Sequence, residues 1–392
     1  MQTSYRNILL LACCQALLLT NGAGLISMSA LVGYGLVETK TLASLPATTY
    51  VIGSALATMP VSLWMAKVGR RRGFMAGALV NVLGCAIAVA ALFTKSFVLF
   101  CAATAVVGVY NAIGLQYRFA AAEVAAPADR ARAISLVLAG GVAGGFLGPG
   151  LVSVAKDWFA TPFLGSFLLL AAVAFAALGV QSLLHVPRPH AHEQGGGRPL
   201  ATIARQPVFV VAVLSAALGY GVMNLLMVAT PLAMSFCQHP FAAAAFVIQW
   251  HVVGMYAPGF VTGDLIKRFG VLPVILLGVL LVAGCVAIAL AGNTIAHFTV
   301  ALVLLGVGWN FMYTGGTTLL TESYEPAEKA KVQGFNDFVV FATMGVSSLS
   351  SGALVSSAGW ERMNVGAIPV LVVIAAATGW LAWLRRRAPR AA

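Results

Sequence analysis

Twelve stretches of about twenty apolar residues, separated by short polar breaks, fill nearly the whole chain and constrain it more than any other feature. They run approximately over 7–33, 44–66, 74–93, 97–119, 132–155, 161–184, 207–234, 242–265, 272–291, 298–320, 334–357 and 364–384. About 20 apolar residues let an α-helix cross the hydrocarbon of a bilayer while satisfying its own backbone. A membrane β-barrel would instead alternate polarity over strands of about ten residues, and no such alternation is present. With 60% hydrophobic and only 9% charged residues, the chain lies far from soluble domains, in which about 25% are charged. The expected class is an all-α membrane protein of twelve transmembrane helices.

The net charge of +12 would suggest nucleic acid in a soluble protein, but its distribution says otherwise. An even number of spans puts both termini on one side. Arg6, Lys67, Arg70, Arg71, Arg72, Arg118, Arg130, Arg132, Arg188, Arg198, Arg205, Lys267, Arg268, Lys329, Lys331, Arg385, Arg386, Arg387 and Arg390 then share that side, 19 of the 23 basic residues. Lys40, Lys95, Lys156 and Arg362 fall on the other. Positive charge resists translocation, so both termini are expected in the cytoplasm of a bacterial inner-membrane protein. A cleavable leader over Arg6 and residues 8–19 is the alternative, and it would leave eleven spans. Cys13, Cys14, Cys85, Cys101, Cys237 and Cys285 all fall inside spans, where they read as small apolar packers.

The longest polar break, 185–206, is rich in Pro, Gly and His and reads as a linker between residues 1–184 and 207–392. Its His185, His190 and His192 have no carboxylate or thiolate partners at fixed spacing, so neither a metal site nor a cofactor is expected. The two flanking segments repeat. At an offset of 199, Asn111 matches Asn310, Glu123 matches Glu322, Pro127 matches Pro326, Asp129 matches Glu328, Arg130 matches Lys329 and Arg132 matches Lys331. After spans two and eight the offset is 201, through Lys67 with Arg268 and Gly69 with Gly270. Parallel six-helix repeats suit a carrier that opens alternately to each side, with the solute near mid-depth.

These features resemble the major facilitator superfamily over essentially the whole chain. Its signature Gly-x3-Asp-Arg-x-Gly-Arg-Arg appears as Ser62-x3-Ala66-Lys67-Val68-Gly69-Arg70-Arg71, basic half intact and both the leading glycine and the aspartate missing. The second copy is Gly263-x3-Lys267-Arg268-Phe269-Gly270. Guanidinium groups held by a tight glycine turn suit a gate that breaks and reforms ion pairs; plain positive-inside anchoring is the alternative, and the recurrence of glycine and basic spacing in both halves favours the gate. Asp337 is a candidate to supply the missing negative charge opposite Lys67 or Arg70. Glu123 to Arg132 and Glu322 to Lys331 look like further facilitator elements. In span five, Gly144-x3-Gly148-Pro149 resembles the antiporter signature of facilitator exporters, with Ser135 where that pattern opens with glycine. Span eleven lacks a Gly-Pro counterpart, which favours export. The exporters' arginine of span four is Thr104 here, which leaves proton coupling open.

In the fold the resemblance implies, spans one, four, seven and ten line the solute cavity. Near their middles lie Asn21, Tyr110, Asn111, Tyr220, Asn224, Trp309, Asn310 and Tyr313. Amides and aromatic faces hold a neutral ring system by hydrogen bonds and stacking; asparagines that merely bridge helices are the competing explanation. No Asp or Glu lies at mid-membrane, so a neutral or weakly anionic organic solute is expected, with Arg118 as an attractor. His251 is the titratable imidazole inside a span and a candidate for proton coupling. The expected function is secondary active transport by alternating access, as proton-coupled efflux. The alternative is uptake of a nutrient such as a vitamin or iron chelate. A channel or a polytopic enzyme is less well motivated, and no Walker-type loop is present to power a pump. The expected partners are a small solute, protons and the lipid bilayer, with no nucleic acid and a monomeric state.

Overall fold

The computed structural model describes residues 2–37, 42, 45–186 and 197–387. Arg188, His190 and His192 of the expected linker lie outside these residues, as do Lys40 and Arg390. The described chain is helical throughout: α1 Gln2–Leu36, α2 Leu45–Val68, α3 Arg70–Thr94, α4 Phe97–Gly114, α5 Tyr117–Val124, α6 Arg130–Ala139, α7 Gly141–Ala155, α8 Leu164–Ser182, α9 Leu200–Ala204, α10 Pro207–Phe236, α11 Phe241–Tyr256, α12 Gly259–Phe269, α13 Val271–Ala291, α14 Ile295–Leu320 and α15 Lys329–Arg387. Among the described residues, ten helical segments are long and apolar enough to cross a bilayer.

Local chemistry explains where these helices stop. Gly69 (φ 89°, ψ 155°) and Gly270 (φ 89°, ψ 160°), the repeat-related glycines, separate α2 from α3 and α12 from α13 in one shared backbone conformation. That region carries a steric penalty for any residue with a Cβ. Ser96 and Thr294 cap α4 and α14, accepting hydrogen bonds from the backbone N–H of Leu99 and His297. The expected span 242–265 is divided: α11 ends at Tyr256 and α12 starts at Gly259, with Pro258 at the break, because proline removes a backbone donor and its ring crowds the preceding turn. Inside α15, Gly359 is non-helical (φ 83°, ψ 167°), so the expected spans 334–357 and 364–384 lie on either side of a kink.

The chain divides into two compact units. Unit 1 comprises Met1–Pro127, Leu136–Gly196 and Lys329–Phe341; unit 2 comprises Ala128–Ser135, Gly197–Glu328 and Ala342–Ala392. Each unit thus takes in a short segment that belongs, by sequence, to the opposite half. Within unit 1, α7 lies directly on the backbone of α1. A Cβ at Gly140 would stand 2.2 Å from the Ala12 carbonyl oxygen, one at Gly144 2.4 Å from that of Ala16, and one at Gly148 2.5 Å from that of Thr20. Small residues at every fourth position let two membrane helices approach this closely. The glycines noted for their exporter resemblance therefore have a packing role.

Candidate functional site

In unit 2 an aromatic cluster gathers on α10, α11 and α14. Trp309 and Tyr313, one turn apart on one face of α14, stack with ring centroids 5.0 Å apart and planes 14° from parallel. Tyr220 of α10 meets both edge-on, at 5.3 and 5.5 Å, and Tyr256 of α11 meets Trp309 edge-on at 5.8 Å. Trp309 and Tyr313 are buried and Tyr220 is half-buried. The indole Nε1–H of Trp309 has no hydrogen-bond partner among the described residues. A buried donor left unmade costs about 1–3 kcal/mol, which an acceptor on a bound molecule would recover.

The amides divide by what they touch. Asn310, beside Trp309, donates to the Met255 carbonyl at 2.7 Å and accepts from the Thr262 hydroxyl at 2.7 Å, so both ends of its amide bridge helices. Asn224 donates to Ser347 Oγ at 2.9 Å and to the Met344 carbonyl at 3.2 Å. In unit 1, Asn21 donates to the Leu17 carbonyl and accepts from Asn81 Nδ2 at 2.8 Å. Asn111, half-buried, donates to Ser54 Oγ at 3.2 Å, and Tyr110 is fully buried on α4. The repeat carries a change of chemistry here: Asn21 and Tyr110 in unit 1 occupy the positions that Tyr220 and Trp309 hold in unit 2 at the same offset of 199. At the first of these positions unit 1 has an amide where unit 2 has a ring, and at the second both carry rings.

A second constellation lies within unit 1 and joins α3, α5 and the start of α15. Arg70 donates to Glu123 at 2.7 Å, to Gln116 Oε1 at 2.8 Å and to Gln333 Oε1 at 2.6 Å. Arg118 forms an ion pair with Asp337, and both are buried, 1% and 0% exposed. Asp337 also accepts from Gln116 Nε2 at 3.2 Å and from Asn336 Nδ2 at 3.1 Å. The expectation for Asp337 thus takes a different form: its direct partner is Arg118, whereas Arg70 is matched by Glu123, and Lys67 is exposed. Arg118 is committed to this pair. Where the facilitator pattern has its aspartate, Ala66 borders a cavity of ≈ 10 Å³ between Arg70, Glu123 and Lys329, about the room one water needs.

The other charges are arranged around short turns. Arg71 and Arg268 are exposed and Arg130 is half-buried; Arg268 lies over the Phe269 ring. Glu322 pairs with Arg385 at 2.6 Å on the surface. Glu328, fully buried, accepts from the backbone N–H, Nε and Nη2 of Arg198 at 2.6 to 2.8 Å. Hydrogen bonds from the Arg198 side chain hold its carboxyl at about 2. His251 on α11 is buried; Nδ1–H donates to the Leu302 carbonyl at 2.7 Å, and Nε2 has no partner among the described residues. Gln116, Gln333 and Asn336, uncharged residues that link the buried charges, and Tyr256 carry no motif that marks them in the sequence. None of these four stands opposite a like residue at the repeat offsets.

The sequence profile of the Major Facilitator Superfamily matches residues 11–258 and 220–392. The chain belongs to this superfamily. As a facilitator it is a multi-pass membrane transporter, and its relatives agree. It is 40% identical over 375 residues to the riboflavin transporter RfnT of Brucella anthropi, covering 94% of each chain. It is 31% identical over 376 residues to the uncharacterized MFS-type transporter YdeG of Bacillus subtilis, covering 90% of this chain and 87% of that one. Among solved structures, the facilitator's fold matches the Escherichia coli fucose:proton symporter FucP with a TM-score of 0.73 at 14% identity, over 96% of this chain and 99% of that one. It also matches the human organic anion transporter MFSD10 with a TM-score of 0.78 at 12% identity, over 96% and 99%.

Proposed function

We propose that this facilitator carries a flavin-type vitamin, riboflavin or a close analogue, into the cell by alternating access. The observation that carries this reading is the aromatic cluster of Trp309, Tyr313, Tyr220 and Tyr256, whose indole N–H has no partner among the described residues. A flat, uncharged heteroaromatic ring offers a face for stacking and carbonyl or ring-nitrogen acceptors for a buried donor. The full-length similarity to a riboflavin transporter supports the same chemistry. In this reading Tyr220, Trp309 and Tyr313 hold the ring. Asn224 and Asn310 fix the helices that present it.

Uptake is the direction we propose. The packing of α7 on α1 accounts for Gly144 and Gly148 without an exporter's role. The alternation of basic residues supports a cytoplasmic location for both termini, and hence for the network of Arg70, Arg118, Glu123 and Asp337, which we assign to the gate on that side. Coupling to protons is part of the proposal, with His251 and Asp337 as the buried groups able to exchange one.

Riboflavin uptake into proteoliposomes, and growth of a riboflavin-auxotrophic bacterium on limiting vitamin, test the reading. Saturable uptake with counterflow is expected, and Trp309→Ala should raise the half-saturating concentration about tenfold at unchanged expression, since an aromatic pair contributes about 0.5–1.5 kcal/mol beyond its buried area. Absence of both growth and counterflow would refute the solute. Accumulation in everted vesicles alone would refute the direction.

A further inference from the structure

The serines that break the facilitator patterns are matched crosswise with glycines. At the repeat offsets, Ser62 stands where Gly263 stands in the other half, and Ser135 stands where Gly334 stands. In unit 1, where α2 receives the start of α15, the Ser62 hydroxyl donates to the Ala330 carbonyl at 2.7 Å, and Gly334 opposite leaves room for Ser62 and Met59, either 3.0 Å from where a Cβ would be. In unit 2, where α12 receives the start of α6, the roles are reversed. The Ser135 hydroxyl donates to the Gly259 carbonyl and accepts from the Gly263 N–H at 3.0 Å. Gly263 opposite lets the backbone of Arg132 approach so closely that a Cβ would stand 2.3 Å from its Cα.

Each contact therefore contains one hydroxyl that crosses to the neighbouring backbone and one missing Cβ that permits the approach, supplied by opposite partners. Two serines would crowd the contact, and two glycines would leave it without its hydrogen bond. The surrounding charges differ: unit 2 flanks its contact with the exposed pairs Lys267–Asp129 at 2.9 Å and Arg132–Asp264 at 3.5 Å, whereas unit 1 carries the buried network around Asp337. The crosswise match is what the two contacts share.

We propose that Ser62 with Gly334, and Gly263 with Ser135, are reciprocal positioning pairs that set how deeply residues 329–341 seat in unit 1 and residues 128–135 seat in unit 2, and that leaving and regaining these seats is a step of transport. The missing leading glycine of the first signature is thereby compensated at Gly334. The lost opening glycine of the span-five pattern, at Ser135, is matched by Gly263.

The test is an exchange of partners in the full-length protein, read by hydrogen exchange over residues 128–135 and 329–341 and by riboflavin uptake. Gly263→Ser should speed exchange over 128–135 at least tenfold, with α3 and α13 unaffected, and lower uptake at least tenfold. Adding Ser135→Gly, which recreates the side-chain set of the other contact, should bring both to within about threefold of the parent. Ser62→Gly with Gly334→Ser should likewise outperform Gly334→Ser alone. If Gly263→Ser fails to accumulate, recovery of expression in the double variant gives the same answer. A single variant with parental exchange and uptake, or a double variant no better than its single, would overturn the proposal. Exchange results that follow the proposal in a protein that moves no riboflavin would fault the solute and leave the positioning pairs standing.

Discussion

Replacing Asp337 by Asn isolates the buried charge in unit 1 with little change of shape. The amide keeps an oxygen toward Gln116, but Arg118, 1% exposed, loses its counter-charge. Removing one partner of a buried ion pair costs about 3–5 kcal/mol, because the remaining charge stays desolvated and uncompensated. That cost falls on the state in which residues 329–341 sit within unit 1. At about 1.4 kcal/mol per tenfold, the population of that state drops by about 10² to 10³·⁵. A state favoured 100 to 1 would become equal to or rarer than its alternative. Hydrogen exchange over 329–341, where Val332 and Gln333 are fully buried, should accelerate accordingly, and net transport should fall. Arg118→Met combined with Asp337→Asn removes both charges, and the double variant should recover at least tenfold of the lost protection, since apolar replacements of a buried pair are often neutral. Asp337→Asn with parental exchange and transport, or a double variant whose losses simply add, would refute the reasoning.

Two further outcomes follow from packing and charge. Gly144→Val should lower the thermal midpoint strongly, because its Cβ would stand 2.4 Å from the Ala16 carbonyl oxygen and overpacking costs about 1–3 kcal/mol or more, whereas Gly150→Ala, with open space around it, should melt like the parent. The carboxyl of Glu328 is held at about 2, below its ordinary 4.5. Its stabilising contribution is therefore complete above about pH 4.5 and is lost as pH falls toward 2. Melting curves of Arg198→Ala should show a lower plateau at neutral pH and a shallower decline below pH 4.5 than the parent; parallel curves would contradict the assignment.

Much of the architecture is legible in the chain because it depends on local chemistry. Apolar runs long enough to cross a bilayer define helices wherever they fold, and Gly69 and Gly270 mark helix ends because a positive φ disfavours a Cβ in any context. The repeat offsets are visible because equivalent residues keep their order, and they carry the family likeness with them. Partnership is not local. Asp337 and Arg118 are 219 residues apart, and nothing between them indicates that Arg70 takes Glu123 and leaves Asp337 to Arg118. The amides near mid-span look alike in sequence, yet Asn310 is committed at both ends to other helices, while its neighbour Trp309, among rings from three helices, has an indole donor with no partner among the described residues. The sequence alone determined which segments are apolar enough to span a bilayer and that residues recur at fixed offsets between its halves. Tertiary structure decided which buried polar atoms find partners, because a hydrogen bond or ion pair depends on ångström distances between side chains that only the packed helices bring together.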